Sequence, residues 1–424
     1  MSNKTKTTAT KEEVKPALVP KLRFPGFSSP WTYEPLSKVL KEHKLKNTDG
    51  RDVFSVSMEY GIVNQIELLG RSYAAADTSH YTIGRCYDVV YTKSPLKAFP
   101  FGIVKQCKFQ GEVALSPLYG VFTPPNPHMG LMIEAYFESP NRSKDFLSPL
   151  CQKGAKNTLQ ITNTTFLSGR LPLPIQPAEQ QKIAECLSSV DELIAAQARK
   201  VAALNNHKKG LMQQLFPREG ETQPCLRFPE FQNAGEWEED LMQDVFVFRQ
   251  GLQVAVENQF LQNEEDRERF IRIIDITQCN EPPRYITVTK GANIVSSEDL
   301  FMIRYGTPGV VAIGYEGVIA NNLFQLIFKN AKNHSPFYWY HYLQTKYEEI
   351  SGLSGSSSMP AISFKTLNHV EVKYPPLSEQ QRIATCLSSL DTLITAETQK
   401  HEALKTHKKG LMQQLFPSPT HSSS

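Results

Sequence analysis

The chain has 424 residues, 40% of them apolar and 21% charged, with a formal net charge of +3, the make-up of an ordinary globular protein. It contains no run of 18 or more apolar residues, so no membrane span is expected. Its seven cysteines stand singly with no Cys-x-x-Cys pair, which argues against a zinc site or a disulfide frame. The polar start has no apolar secretory stretch, and the expected location is cytoplasmic.

In chain order, residues 1–20 read as a disordered arm. Residues 21–176 read as a mixed α+β body, with strands over 88–93, 101–105 and 112–115, a short helix over 129–138 and a loop holding Gly154-Ala155-Lys156-Asn157. The proline-rich lead-in Leu171-Pro172-Leu173-Pro174 precedes a long helix over 177–217. A second α+β body covers 218–375, with strands over 270–276, 285–289, 300–303, 310–313 and 323–328. Ser335 is expected to cap a helix that has Pro336 in its first position and runs to about Ile350. Residues 352–358 read as a flexible Gly/Ser loop. Residues 376–417 form a second long helix, and 418–424 a loose tail.

The two long helices are copies. Residues 179–217 and 379–417 are identical at 27 of 39 positions, and Leu22-Arg23-Phe24-Pro25 recurs as Leu226-Arg227-Phe228-Pro229. A repeat of about 200 residues is far longer than solenoid or propeller repeats, so each copy is a domain-sized unit. The helices match closely while the bodies before them share little, which points to two heads of different specificity on one frame.

Two interleaved seven-residue series along the helices are mostly apolar, the seam of a coiled coil. The first copy offers Ile183, Leu187, Val190, Ile194, Leu204, Leu211 and Leu215, and the second Ile383, Leu387, Leu390, Ile394, Leu404, Leu411 and Leu415. At about 1.5 Å per residue each rod would be roughly 57 Å long. The simplest partner for each rod is the other, related by a two-fold axis and therefore antiparallel. Gln197 and Glu397 would fix the register at the centre of the seam. Ser378 and Gln381 read as a capping box, Pro177 starts the first rod, and Pro217 and Pro417 stop the two. Cys186 and Cys386 are expected to be small buried core residues. Gly210 and Gly410 hint at a close backbone approach or a kink, against the plainer reading of an inherited, harmless glycine.

Residues 1–176 carry 22 basic and 14 acidic side chains, net +8, whereas residues 218–375 carry 14 and 21, net −7. The first body suits a polyanion partner. The second offers only a possible local basic face among Arg267, Arg269, Arg272, Arg284, Lys290 and Arg304.

A body, a proline-rich lead-in, Glu-Gln-Gln-Lys/Arg-Ile-Ala and a long helix ending Lys-Lys-Gly-Leu-Met-Gln-Gln-Leu-Phe, all present twice, resembles the specificity subunit of a Type I restriction–modification system. The resemblance runs from about residue 20 to 417. It implies an α+β architecture: two mixed α/β target-recognition domains joined by two long antiparallel coiled-coil helices with pseudo-two-fold symmetry. It implies that each domain reads one half of a bipartite, asymmetric site on double-stranded DNA, while the helices set the spacing and dock two methyltransferase (modification) subunits. Restriction/translocase subunits would join for cleavage. S-adenosylmethionine, ATP and Mg would then sit on those partners, with no cofactor on this chain and no membrane involved.

Motifs for catalysis in the chain itself fail on inspection. Glu281-Pro282-Pro283-Arg284 departs at both ends from the pocket motif of DNA amino-methyltransferases and reads as a turn. Gly309 to Gly314 has P-loop glycine spacing but continues into Tyr315-Glu316 instead of Lys-Ser/Thr. Glu371-Val372-Lys373 has the form of a nuclease metal motif without an accompanying Pro-Asp, and reads as a strand. Tyr338, Trp339, Tyr340 and Tyr342 form a cluster read chiefly as core. Residue types that contact phosphates and bases are common. Strand-end and loop positions single out Lys93, Ser94, Lys97, Lys105 and Lys156 in the first body, and Arg272, Arg304, Ser356 and Ser357 in the second. Two rival functions stand beside DNA recognition. A self-contained restriction or methyltransferase enzyme with degenerate motifs would bind S-adenosylmethionine. A coiled-coil scaffold would show no sequence-selective DNA binding.

Overall fold

The computed structural model describes residues 18–153, 159–288, 293–355 and 360–417. These fall into two units, one made of the residues up to 197 and those from 400 onward, the other of residues 198–399. Each unit therefore holds one body, the front part of one long helix and the rear part of the other.

The first unit contains the strands β1 (Thr32–Pro35), β2 (Lys41–Glu42), β3 (Val53–Ser57), β4 (Gly61–Asn64), β5 (Thr82–Arg85), β6 (Val89–Tyr91), β7 (Val104–Gln106), β8 (Glu112–Leu115), β9 (Gly120–Thr123), β10 (Gln152–Lys153), β11 (Leu159–Gln160) and β12 (Arg170–Leu173). Its helices are α1 (Leu36–Val39), α2 (Gln65–Leu69), α3 (Pro127–Phe137), α4 (Pro140–Leu147), α5 (Asn163–Ser168) and the start of α6 (Pro177–Leu215). Two four-stranded sheets, ordered β2-β9-β6-β7 and β4-β3-β8-β5, share a core. The period-two alternation of a strand sets the layering. In β6, Val89 and Tyr91 join Phe122, Phe137 and Phe166 on one face, while Val90 joins Phe54, Val113 and Leu115 on the other. Helix α3 is buried from Met129 to Phe137, as an apolar-all-round inner helix must be. It starts where Asn126 accepts from the Met129 N–H and Pro127 takes the first position.

The second unit follows with β13 (Glu238–Leu241), β14 (Phe246–Gln250), β15 (Arg267–Ile271), β16 (Arg284–Thr287), β17 (Leu300–Ile303), β18 (Val311–Ala312), β19 (Val318–Ile319), β20 (Leu323–Phe328) and β21 (Glu371–Tyr374). Its helices are α7 (Met242–Val245), α8 (Ile273–Thr277), α9 (Pro336–Thr345), α10 (Tyr347–Gly352), α11 (Phe364–Leu367) and the start of α12 (Leu377–Leu415). The sheet order β14-β20-β17-β18 repeats β2-β9-β6-β7, strand for strand and all antiparallel. The parallel pair β15–β19 repeats β3–β8, and β13–β21 repeats β1–β12. Two bodies with little shared sequence thus share one core topology, although the second sheet is four-stranded (β4-β3-β8-β5) in the first unit and three-stranded (β16-β15-β19) in the second.

Within each unit the helix segments run antiparallel. In the first, Lys408 Nζ meets Asp191 at 2.8 Å, while Ile183 and Leu187 share a core with Leu415 and Phe416. In the second, Lys208 Nζ meets Asp391 at 2.5 Å, while Ile383 and Leu387 share a core with Leu215 and Phe216. Of the expected seam, Ile183, Leu187, Leu215, Ile383, Leu387 and Leu415 are fully buried. Val190, Ile194, Leu204, Leu211, Leu390, Ile394, Leu404 and Leu411 are half-buried. Gln197 is buried at the centre, and Glu397 accepts from Lys200 at 2.5 Å. The repeated Leu-Arg-Phe-Pro segments bind the helix starts. Arg23 donates through Nε and Nη2 to both oxygens of Glu179 (2.7 and 2.8 Å), and Arg227 does the same to Glu379 (2.7 and 2.7 Å). Gln180 and Gln380 each donate to the carbonyl of a lead-in proline, Pro174 and Pro375.

Several expectations are corrected. The apolar run 270–276 is a strand only to Ile271, because Asp275 accepts from the backbone and side chain of Arg272 and starts α8. The helix from Pro336 breaks at Lys346 into α9 and α10. Ser335 does not cap α9 with its side chain, and its N–H instead donates to Gln380 Oε1. α12 begins at Leu377 with the Glu379 and Gln380 N–H groups on Pro376 O, so Ser378 lies inside the helix and is not its cap. Cys186 and Cys386 are half-buried. A Cβ on Gly210 or Gly410 would meet nothing within 4 Å, so among the described residues no neighbouring backbone approaches either glycine. As expected, Tyr338, Trp339 and Tyr342 are core, with the two tyrosine rings stacked at 5.9 Å. The arm up to residue 17 and the tail from 418 lie outside the described residues.

His341 on α9 is fully buried against α12, with Nε2 3.3 Å from Ser388 Oγ and 3.9 Å from Asp391, and Nδ1 has no partner among the described residues. Burial first and nearby Lys208 second push its pKa down to about 3. The unfolded chain protonates this group below about 6.5 whereas the folded chain keeps it neutral, so falling pH favours unfolding throughout that window. The second unit is expected to lose up to about 1.4 kcal/mol per pH unit from this group, and urea titrations between pH 7 and 5 should show the slope in the native chain and its loss in His341→Asn.

Candidate nucleic-acid interface

The sheet containing β6 ends in a long hairpin to β7. Its free end is shaped by three local features. Leu96 and Phe99 exchange both backbone hydrogen bonds at 3.0 Å, closing a tight turn with Lys97-Ala98 at the tip. Phe99 is buried beneath it. Gly102 has φ +95°, and a Cβ there would lie 1.8 Å from Thr92 O, so only glycine fits. Lys93, Ser94 and Lys97 stand exposed on this one loop. The connection from α4 to α5 forms the short hairpin β10–β11, whose tip, including Lys156, lies outside the described residues.

The equivalent hairpin of the second unit joins β17 to β18. Here Arg304 knits two loops together. Its Nε donates to Ile362 O at 3.0 Å and its Nη1 to Gln250 Oε1 at 2.7 Å, and the guanidinium lies 4.6 Å over the Phe364 ring. Ile362 N–H donates back to Arg304 O, and Tyr305 bridges Ala361. The hairpin and the α10–α11 connection are therefore neighbours, and Ser356 and Ser357 on that connection lie outside the described residues.

Three selected cations turn out to be held inside. Lys105 is 4% exposed and paired with Glu134 (3.3 Å) and Glu138 (3.0 Å). Burial alone would lower its pKa, but the two carboxylates outweigh that and raise it. Glu138 also holds Lys408 of α12 at 2.7 Å, so Lys105 belongs to the joint between body and helix and leaves the set of surface contacts. Arg272 is occupied by Asp275 and Glu281 at 2.9 and 3.0 Å. Arg304 positions the loops as described. An exposed pair that the sequence did not single out sits on the loop after α2 of the first unit. The Arg71 guanidinium lies 4.6 Å over the Tyr73 ring, Tyr73 is 60% exposed, and Gln65 Oε1 accepts from its N–H at 2.7 Å. Arg-x-Tyr after a glycine was the available signal, because such a pair is a stacking platform.

The family model described as the Type I restriction modification DNA specificity domain matches residues 112–206 and 236–406. The chain belongs to this family. The putative type I restriction enzyme MjaX specificity subunit of Methanocaldococcus jannaschii is 26% identical over 266 residues, 62% of this chain and 62% of that protein. The type I restriction enzyme MjaVIII specificity subunit of the same organism is 27% identical over 276 residues, 60% of this chain and 63% of that protein. The match thus spans somewhat under two thirds of the length of either relative. The crystal structure of a Type-I restriction-modification system S subunit from M. genitalium, 14% identical, covers 95% of this chain and 100% of its own with a TM-score of 0.60, a likeness of fold. Both matched segments of the specificity domain end within the long helices, so each includes part of a body together with part of its rod.

Lys105→Met is expected to destabilise the first unit by about 3 kcal/mol, the lower end for removing one partner of a buried pair, since Lys108 and Lys408 still reach the carboxylates. Lys97→Met, at the exposed tip, should leave the urea midpoint unchanged.

Proposed function

We propose that this chain is the sequence-specific DNA-recognition subunit of a Type I restriction–modification complex and is not itself catalytic. Each body reads one half of a bipartite, asymmetric site on double-stranded DNA. The observation that carries this reading is the recurrence of one body topology on two divergent sequences, each joined to an almost invariant helix by the same Arg–Glu contact. One scaffold with two different surfaces is what two different half-sites require.

The long helices set the spacing between half-sites and dock two methyltransferase subunits, with restriction/translocase subunits joining for cleavage. Because DNA repeats every 34–36 Å or so, a continuous helix can hold two readers in phase where a flexible linker could not. Docking is supported by the outward stripe of the rods. Ser189, Ala196, Ala203 and Gly210 recur every seven residues, as do Ser389, Ala396, Ala403 and Gly410, with the serines and alanines exposed. Small side chains at heptad spacing let another helix approach closely. S-adenosylmethionine, ATP and Mg are assigned to the partner subunits.

Two outcomes are expected. Lys97→Gln in the assembled complex should reduce the slope of log affinity against log salt by about 0.9, the share of one phosphate contact, without changing the half-site read. Long-read methylation mapping of the source genome should lose one split, asymmetric motif when the gene is deleted. An unchanged methylome, together with failure to co-purify methyltransferase subunits, would refute the assignment.

A further inference from the structure

We infer that the second unit carries a receptor for an arginine side chain of a partner protein, built on the last turn of α6. The first unit shows what such a site looks like when filled. There Arg142, on α4, donates through Nη1 to Met412 O at 2.8 Å and through Nη2 to Gln413 O and Phe416 O at 3.4 Å each. Its guanidinium lies 5.1 Å over the Phe416 ring and 5.9 Å over Tyr136. An arginine thus satisfies carbonyls that the end of a helix leaves open, at the end of the dipole that favours a cation.

Residues 207–217 and 407–417 are identical, so α6 ends with the same three carbonyls and the same ring at Met212, Gln213 and Phe216. No described side chain donates to those carbonyls. Instead these three residues line an open groove of about 1110 Å³, walled opposite by the α9–α10 junction. Arg142 is the third residue of α4, and the third residue of α10, the helix in the same topological place, is Glu349. Where the first unit brings its own cation, the second places Glu349, held by Lys346 at 2.8 Å, with Glu348 beside it in the groove wall. Two of the groove's cations are already matched, Lys208 by Asp391 and Lys346 by Glu349. A planar guanidinium can reach several carbonyls and stack on Phe216 at once, which an ammonium cannot. DNA carries no guanidinium, so the natural occupant is a protein side chain. Arg218 also lines the groove and is the internal rival.

The test uses the full chain with ¹³C-methyl methionine and N-acetyl-arginine amide as the probe. The Met212 methyl signal should shift and saturate, Met412 should stay fixed because Arg142 already fills its site, and N-acetyl-lysine amide should bind about tenfold more weakly or less. Glu349→Arg should fill the groove from within and abolish the Met212 response, with unmoved Met242 and Met302 signals, both from the second unit's core, reporting an intact fold. Arg218→Ala should retain the response. A silent Met212, an equal response to lysine, or a response that appears only in Arg218→Ala would overturn the inference.

Discussion

The bidentate pair between an arginine of the Leu-Arg-Phe-Pro segment and the first-turn glutamate of each long helix is the constraint from which the rest of the architecture follows. Glu179 and Glu379 are each 1% exposed. A carboxylate buried to that degree without its guanidinium would cost about 3–5 kcal/mol, so the two short motifs are bound to one another across more than 150 residues of intervening body. The pair joins the first and last parts of each body at one point. β1 pairs with β12, and β13 with β21, directly beside it. The body is thereby closed into a loop whose two ends meet at the helix start, and everything between those ends is free to diverge.

What stays constant in the helices is what the joints use. Glu179 and Glu379, Gln180 and Gln380, Lys208 and Lys408, and Phe216 and Phe416 all make joint contacts. Between residues 192 and 206, where no body packs its core on the rod, 9 of 15 positions differ from their counterparts in the second copy. The seam residues Ile194 and Leu204, the small outward residues Ala196 and Ala203, and the exposed Leu193 and Lys200 persist there. The bodies meet the same frame by different chemistry. The first presents Glu138 to Lys408, whereas the second presents a neutral histidine beside Lys208 and Asp391.

The helices were legible in the sequence because a seven-residue period sustained over many turns has no competing reading. Strands β17 and β20 were legible because each is a short apolar run between turn residues. The run at 270–276 misled for the reason such runs do: apolar continuity alone cannot separate strand from helix, and the decision rested on one local contact, Asp275 to Arg272. The DNA-facing surface was the least legible part. Lys97 and Lys105 are the same residue type eight positions apart, yet one tips a hairpin and the other is buried. What separates them is Glu134 and Glu138 on α3, placed near Lys105 by sheet and helix packing and by nothing local. The shared topology of the two bodies was equally hidden, because strand order is carried by backbone pairing that unrelated side chains can satisfy.

The division of each rod between the units bears on the order in which the protein can be made. Every residue of the second unit has been synthesised by position 399. The first unit still lacks Met412, Leu415 and Phe416, which belong to its core, and the carbonyls that receive Arg142. Although its body emerges first from the ribosome, the first unit is the last to close. Domains usually fold in order from the N-terminus during synthesis, whereas here the core of the first body stays incomplete until the final helix turn arrives.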